Sequence, residues 1–363
     1  MEAKKLVLEN GIEIYGQGFG NEKVAELIFN TEMIGYQDIL EDPSYSGKIV
    51  CMTYPLIANY GASDDDFGSN KYHVEGFIVK DFDFVASNFR YADSMVELLE
   101  ANDIPFLCDV DTRMISRIIR DEGSMKCIIT NANISKEEAL EKIKNYTPEK
   151  NIIKKLTSKR PTVIKANKPK YAVACIDLGI KKNVIENLTK RNCNLTLYPY
   201  NVSAEDILKS KVDGVFITSG PECLDECDDV IETIKSLKGK LPIAGIGFGH
   251  ILIAKAFGAK VQKMKCGHYG ANLSVRNLET NKIDITSQNH GYVVLNDSLE
   301  GTGLSISHIN ITDNSIEGLV SKENKVLTLQ YYPENAEGHI SNKKLYDELI
   351  RLMKSNKGES KNA

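Results

Sequence analysis

The stretch AGIGFGHILIA, residues 244–254, has the frame of a nucleophile elbow but no nucleophile. Such an elbow reads Gly-x-nucleophile-x-Gly and carries its catalytic side chain on a sharp turn between a strand and a helix. Gly245 and Gly249 take the flanking positions, and Gly247 takes the position of the nucleophile. The helix N-terminus behind such a turn favours a thiolate and a developing oxyanion. Glycine tolerates the strained backbone at the tip, so the turn can persist without its chemistry.

The same glycines invite comparison with a dinucleotide-binding loop, and the comparison fails. That fingerprint needs glycines at the first, third and sixth positions of G-x-G-x-x-G. The sixth position is His250. No acidic residue lies about 20 positions further on in the expected register. We therefore expect no NAD or FAD site.

Alternating strand-like and helix-like runs surround the elbow and must position it. From residue 171 onward these runs are YAVACIDLG, KKNVIENLTKRN, CNLTLYPY, SAEDILKSK, VDGVFITSG, VIETIKSLKG, LPIAGIG and HILIAKAFG. This rhythm predicts an α/β fold with an open, mainly parallel sheet and helices on both faces. Sites in such sheets form at the carboxyl ends of strands, where TSG (218–220) and GIGFG (245–249) lie.

A second region precedes the α/β domain. Residues 1–150 mix β-like runs such as KLVLENGIEIYG with helical segments such as SMVELLEANDI, which predicts a separate domain of mixed β and α structure. The stretch 151–170 is rich in Lys and Pro without sustained periodicity, so it is interpreted as a linker. The α/β domain then covers 171–355, and 356–363 is expected to be a flexible tail.

Composition and charge restrict the classes of function. The 363 residues suffice for two domains with a substantial core in each. The net charge of −5 and the lack of a long basic run argue against nucleic acid as a partner. No apolar stretch approaches the ~20 residues that span a bilayer, and the start turns polar too early for a signal peptide. The eight cysteines are scattered without ligand spacing, which predicts reduced thiols in a cytoplasmic protein and no metal site.

Two motifs make the α/β domain resemble the class I glutamine amidotransferases. That family carries an elbow close to G-I-C-L-G-H-Q and a later Y-H-P-E. Its cysteine attacks the side-chain amide of glutamine, its histidine is the base, and its glutamate orients the histidine. Here the motifs read GIGFGHI (245–251) and LQYYPE (329–334). The cysteine position is Gly247, the histidine position is Tyr332, and only Glu334 is kept.

The first domain narrows the resemblance to the small subunits of carbamoyl phosphate synthetase. The first-domain stretches that carry it are FNTEMIGYQDILEDPSYSGKIVCMTYPLIANYG (29–61), HVEGFIV (73–79), SNFR (87–90) and DVDTR (109–113). In the second domain, SQNHGY (287–292) and the less well kept CGHYGAN (266–272) match the same subunit. The resemblance covers nearly the whole chain and implies a large subunit as partner. That subunit would use ATP, bicarbonate and Mg²⁺ to make carbamoyl phosphate for pyrimidine and arginine synthesis, with glutamine or ammonia supplying nitrogen. No cofactor is expected on this chain.

The resemblance also assigns glutamine-binding roles, and some of these positions have changed. Gly220 keeps the first glycine of the family's oxyanion-side G-P-G, whereas Glu222 replaces the last. A carboxylate there has the wrong sign for stabilising an oxyanion. Phe248 replaces a leucine after the nucleophile. Ile251 replaces a glutamine and cannot hydrogen-bond a substrate amide.

Other glutamine-binding positions are kept. Asn289, Gly291 and Tyr292 match the family's N-H-G-F with a conservative aromatic change. Ser46 falls where the family has a glutamine-contacting serine, although a plain turn hydroxyl in a Pro/Ser/Gly segment would look the same.

These changes predict that the chain has lost its own glutamine hydrolysis and acts as an ammonia-dependent or scaffolding subunit. A nucleophile and its base act as a unit, so loss of either removes most of the rate. Tyrosine, with an ordinary pKa of about 10, is a poor base near neutrality.

Two alternative functions stay open at this point. The kept positions Asn289, Gly291 and Tyr292 suit a glutamine-sensing module without catalysis. A relocated pair of Cys223 with His250 or His290 would make an active glutaminase, and His339 lies just beyond the altered YYPE.

The N-terminal residues Tyr36, Asp42, Tyr45, Tyr54 and Tyr60 suit either a core or an interface. The resemblance favours a contribution to large-subunit docking.

Overall fold

The chain divides into two compact units in the computed structural model, which describes residues 1–62, 71–84, 88, 93–333 and 344–358. The first unit contains Met1–Lys150 and Lys265–Gly270, and the second contains Asn151–Met264 and Ala271–Ala363. The segment 265–270 had been assigned with the second domain. It belongs instead to the first unit, where Tyr269 is buried in the core.

The first unit is built on a closed barrel. Its strands are β1 (Glu2–Leu8), β2 (Glu13–Phe19), β3 (Lys23–Asn30), β4 (Lys48–Met52), β5 (Leu56–Ile57), β6 (Gly76–Ile78), β7 (Asp81–Phe82), β8 (Phe106–Cys108) and β9 (Met125–Asn131). Its helices are α1 (Tyr36–Glu41), α2 (Met95–Ala101), α3 (Thr112–Glu122) and α4 (Lys136–Asn145), with a 3₁₀ turn at Pro43–Tyr45. The barrel order is β1-β2-β8-β6-β4-β3-β9, and β5 pairs with β7 separately.

Local capping fixes where the two longer helices of this unit begin. The Asp111 side chain accepts a hydrogen bond from the N–H of Met114 at 2.9 Å at the start of α3. Ser135 does the same for Glu138 at 3.1 Å at the start of α4. Such caps satisfy N–H groups that have no partner within the helix.

Four of the N-terminal residues that suited either a core or an interface lie in or against the core. Tyr36 is 1% exposed and Tyr45 is 2% exposed. The Tyr36 ring stacks on Tyr60 at 4.3 Å between centroids, and its hydroxyl donates to the carbonyl of Gly61 at 2.6 Å. Asp42 is buried and accepts from the N–H of Ser44 at 2.9 Å. Of the five, Tyr60 is partly buried and Tyr54 is exposed.

The second unit is an α/β domain. Its strands are β10 (Thr162–Ile164), β11 (Tyr171–Asp177), β12 (Cys193–Pro199), β13 (Gly214–Ile217), β14 (Ile243–Ile246), β15 (Val261–Asn277), β16 (Ile283–Val294), β17 (Ser305–Asn310), β18 (Ile316–Ser321) and β19 (Val326–Leu329). Its helices are α5 (Ile152–Leu156), α6 (Lys182–Lys190), α7 (Ala204–Lys209), α8 (Asp228–Leu237), α9 (Phe248–Ala256) and α10 (Lys344–Asn356), with 3₁₀ turns at Leu224–Glu226 and Asn296–Ser298.

The sheet of this unit has a parallel centre, which confirms the predicted fold class. Its order is β10-β12-β11-β13-β14-β19-β18-β17-β15-β16. The strands β12, β11, β13, β14 and β19 run parallel. Their residues are largely buried, as expected for a parallel sheet with helices packed on it. Antiparallel pairings extend the sheet at β10 on one side and at β18 and β17 on the other.

The segment interpreted as a linker packs as part of the second unit. Residues 151–170 contain α5 and β10, and β10 pairs antiparallel with β12 at the sheet edge. Ile153 is fully buried in the core, and the Thr157 hydroxyl donates to the carbonyl of Asp177 at 2.6 Å. Elements of five and three residues are too short to show a hydrophobic period, so the sequence pattern did not reveal them.

Candidate functional site

The predicted elbow is present between β14 and α9. Gly247 has φ 51° and ψ −120°, a backbone conformation that residues other than glycine rarely adopt. Its N–H donates to the carbonyl of Leu329 at 2.9 Å, which ties the tip to the neighbouring strand β19. A Cβ built on Gly247 would lie 2.3 Å from the Ser219 hydroxyl oxygen and 3.1 Å from Cε1 of Tyr332. The space above the tip is therefore filled by these two side chains.

Ser219 and Tyr332 form a hydrogen-bonded pair over the empty tip. Ser219 follows β13 and Tyr332 follows β19, and these strands flank β14 on either side. Their hydroxyl oxygens lie 3.0 Å apart, and each residue is 4% exposed. The N–H of Phe248 donates to the Ser219 hydroxyl at 3.4 Å. The carboxyl ends of three adjacent parallel strands thus meet where a catalytic centre would form, and two hydroxyls occupy it.

Two further contacts hold Tyr332 in this position. Its N–H donates to the carbonyl of Ser287 at 2.9 Å, where the two residues form an isolated antiparallel bridge. The ammonium of Lys181 lies 4.9 Å from the centre of its ring, within the range of a cation–π contact. The tyrosine at the position of the family's histidine is thus bound through its backbone, ring and hydroxyl.

The carboxylate of Glu222 reaches the segment expected to bind glutamine. Its Oε2 accepts from the N–H of Gly291 at 2.7 Å, and its Oε1 lies 3.3 Å from the N–H of Tyr292. Asn289 precedes them on β16 and is 5% exposed. Neither its amide oxygen nor its amide nitrogen has a hydrogen-bond partner among the described residues. The structure thus brings Glu222 together with the kept positions.

Three other predicted positions have packing roles. A Cβ at Gly220 would lie 2.2 Å from the carbonyl oxygen of Leu178, so the close approach of two backbones requires glycine there. Phe248 is 1% exposed and Ile251 is fully buried, and both pack in the hydrophobic core of the second unit. The resemblance assigns both positions to the glutamine site, and their side chains here are buried in the core.

The histidines considered for a relocated pair are buried and bonded elsewhere. Burial lowers the pKa of His250 to about 3, and its Nδ1 lies 2.8 Å from the hydroxyl of Thr328. Nδ1 of His290 lies 3.0 Å from the carbonyl of Tyr292, and its Nε2 lies 3.1 Å from the side-chain oxygen of Gln288. Cys223 is partly buried against the core of the second unit.

The remaining predicted positions fall in the first unit or outside the described residues. Ser46 belongs to the first unit, is half-buried, and ends the 3₁₀ turn at Pro43–Tyr45, where its N–H donates to the carbonyl of Pro43 at 3.1 Å. Glu334, His339 and most of SNFR (87–90) lie outside the described residues.

Sequence reasoning missed Ser219. The residue sits in the TSG that was placed at a strand's carboxyl end, but a serine after a strand has no distinguishing pattern. Its partner Tyr332 is 113 positions away, so only the strand order reveals the pair.

Each of the two units matches a family of known sequences. The profile of the class I glutamine amidotransferases matches residues 174–352, and that of the carbamoyl-phosphate synthase small chain, CPSase domain, matches residues 6–129. The second unit is thus a class I glutamine amidotransferase domain, carrying an elbow at the carboxyl end of its parallel sheet.

Relatives align over nearly the full length. The pyrimidine-specific small chain of carbamoyl phosphate synthase from Halalkalibacterium halodurans is 39% identical, over 98% of this chain and 98% of its own. The small chain from Bacillus caldolyticus is 40% identical over 98% of both chains, and that from Fusobacterium nucleatum is 40% identical over 98% of this chain and 99% of its own. The chain belongs to the carbamoyl phosphate synthase small chain family. Among the described residues, no helix is both long and apolar enough to cross a membrane.

Proposed function

We propose that this chain is a carbamoyl phosphate synthase small subunit that does not hydrolyse glutamine. The observation that carries the proposal is the Ser219–Tyr332 pair, whose oxygens lie 3.0 Å apart over Gly247 and fill the space that a nucleophile would need. Covalent glutaminase chemistry needs a side chain that attacks and a base that takes its proton. Here the attacking position has no side chain, and the base position is a phenol.

The serine hydroxyl does not replace the missing thiol in this arrangement. A serine is a weak nucleophile until a neighbouring base removes its proton. The hydroxyl of Tyr332 lies within hydrogen-bond distance of Ser219, and phenols are protonated near neutral pH. Deleting either member of a nucleophile–base pair costs about 10⁶-fold in rate in a well-studied protease, so residual turnover would be hard to detect.

The proposed role of this chain is to support a large subunit. That partner would bind ATP, bicarbonate and Mg²⁺ and make carbamoyl phosphate from free ammonia, with no cofactor on this chain. Family membership over nearly the whole length supports this role, because the relatives are small chains of that synthase.

The other two functions have less support. A relocated Cys223 nucleophile would need a histidine as base, and both ring nitrogens of His290 are already in contact with Tyr292 and Gln288. His250 is bonded to Thr328 through one ring nitrogen and is fully buried. A glutamine-sensing role would need free amides at Gly291 and Tyr292, and these are taken by Glu222.

Two measurements on the full chain test the proposal. Co-expression with the large subunit encoded in the same genome should give a complex that co-purifies. The purified complex should release no glutamate from glutamine above a buffer blank. Failure to form any complex would remove the scaffold role. Glutamate release that disappears in a Cys223→Ala variant would show that the nucleophile has moved.

A further inference from the structure

Two neighbouring backbone N–H groups in the second unit converge on one carboxylate. Glu222 accepts from Gly291 through Oε2 at 2.7 Å and from Tyr292 through Oε1 at 3.3 Å. The carboxylate comes from the loop after β13, 69 positions earlier in the chain than Gly291. Successive N–H groups that point at the same place form an anion-binding concavity, and bonds from N–H to a charged acceptor are stronger than neutral ones.

A second observation marks the same place as a binding site. Asn289, two positions before Gly291 on β16, has both amide atoms buried without a partner among the described residues. Buried polar atoms of this kind are rare in native proteins, and each calls for an explanation such as a ligand or an ordered water. An amide that can both donate and accept, beside two N–H donors, suits a small polar molecule that carries a carboxylate and further polar groups.

We propose that Glu222 occupies, from within the chain, the place at Gly291 and Tyr292 that the α-carboxylate of a free amino acid would otherwise take. The side chain of Glu222 ends in the same chemical group as the α-carboxylate of free glutamine, so the two compete for the N–H groups of Gly291 and Tyr292. An occupant tethered to the same chain acts at a high effective concentration, which a free amino acid must exceed. The inference builds on the proposed function, because it adds loss of substrate binding to loss of the covalent step.

Calorimetric titration of the full chain with L-glutamine tests this. The native chain should give no binding heat at millimolar glutamine. Glu222→Ala removes the internal carboxylate and should bind glutamine at least tenfold more tightly than the native chain. Glu222→Gln keeps the size but loses the charge, and one amide oxygen can still accept, so its affinity should fall between the two. Asp225→Ala removes an exposed carboxylate from the same loop and should behave like the native chain.

A ligand analogue identifies the group that the site recognises. Glutamine whose α-carboxylate is converted to a carboxamide should not bind Glu222→Ala, because the two N–H groups would then face a neutral acceptor. Thermal unfolding of each variant with and without glutamine shows which variants are folded, since a ligand of the native state raises the Tm.

Two results would overturn the inference. One is glutamine binding of equal strength to the native chain and to Glu222→Ala, since Glu222 would then not compete. The other is folded Glu222→Ala and Glu222→Gln proteins that both fail to bind glutamine. Neither result bears on whether the chain hydrolyses glutamine, because hydrolysis is read from glutamate release. The inference and the proposed function therefore fail on different measurements.

Discussion

At the scale of single residues, the site is defined by the lack of a side chain at Gly247. Its backbone has the strained geometry of an elbow, while Ser219 and Tyr332 close over it. The elbow conformation is thus present with no side chain at its tip. A missing side chain alone would leave a gap, and the pairing of two hydroxyls explains how the protein packs that gap.

We expect a methyl group at the tip of the elbow to destabilise the folded protein for two reasons that can be measured separately. Gly247→Ala would place a Cβ 2.3 Å from the Ser219 oxygen at a positive φ. Gly258 also has a positive φ, of 99°, but has no atom near the position of a Cβ. We expect Gly258→Ala to lower the free energy of unfolding by about 1–2 kcal/mol through backbone strain alone. Gly247→Ala should cost about 1–3 kcal/mol more through overpacking.

Urea unfolding of the two variants measures that difference. Equal losses of stability would show that Ser219 and Tyr332 move aside freely, and that the tip is not filled in the way described.

His250 should make stability depend on pH. Burial lowers its folded pKa to about 3, whereas the unfolded side chain has its ordinary value near 6.5. The unfolded chain therefore binds a proton between these values and the folded chain does not. Stability from this group is complete above about pH 6.5 and is lost as the pH falls toward 3. From pH 7 to pH 5 the loss from this group should be about 2 kcal/mol.

Urea unfolding at several pH values in that window reads out the effect. His250→Asn keeps a polar atom near Thr328 but does not titrate, so its stability should fall by about 2 kcal/mol less than that of the native chain from pH 7 to pH 5. Parallel pH curves for the two proteins would contradict the assignment of a neutral buried imidazole.

At the scale of secondary-structure elements, α9 follows the elbow directly and also packs in the hydrophobic core. From Phe248 to Ala254 its residues are buried, and Ile251 packs in the main core of the second unit. The position that holds a substrate-binding glutamine in the family is thus part of the hydrophobic interior here.

Restoring the family's residue at this position should therefore destabilise the protein. Ile251→Gln would bury an amide, which costs about 1–3 kcal/mol when it finds no partner. Ile251→Leu, which keeps the volume, should cost less than about 1.5 kcal/mol. Thermal unfolding of both variants gives the comparison. A glutamine variant as stable as the leucine variant would show that the side chain reaches a polar partner or solvent.

The sequence predicts the elements around the site better than it predicts their contacts. The βαβα rhythm correctly gave the strands and helices from β11 to α9, because each run is long enough to show its period. The five-residue α5 and three-residue β10 were missed because they are not. Glu222 was identified as an altered position, but its bonds to Gly291 and Tyr292 depend on which loops the sheet order brings together. The same holds for Ser219.

At the scale of the whole molecule, the two units differ in what they keep. The first matches the small chain family and packs its tyrosine-rich segment into a core, with Tyr36 and Tyr45 buried. The second matches the class I glutamine amidotransferases and has Gly247 at the tip of its elbow. Both family folds are thus present in a chain whose elbow has a glycine at its tip.

The central claim is that the chain supports carbamoyl phosphate synthesis without supplying ammonia from glutamine. The most direct test is carbamoyl phosphate formation by the complex of this chain with its large subunit, with either glutamine or ammonium chloride as the only nitrogen source. We predict product with ammonium and none above background with glutamine. Equal rates with the two nitrogen sources would contradict the account, because a working glutaminase would then have to lie in a site that the elbow at Gly247 does not provide.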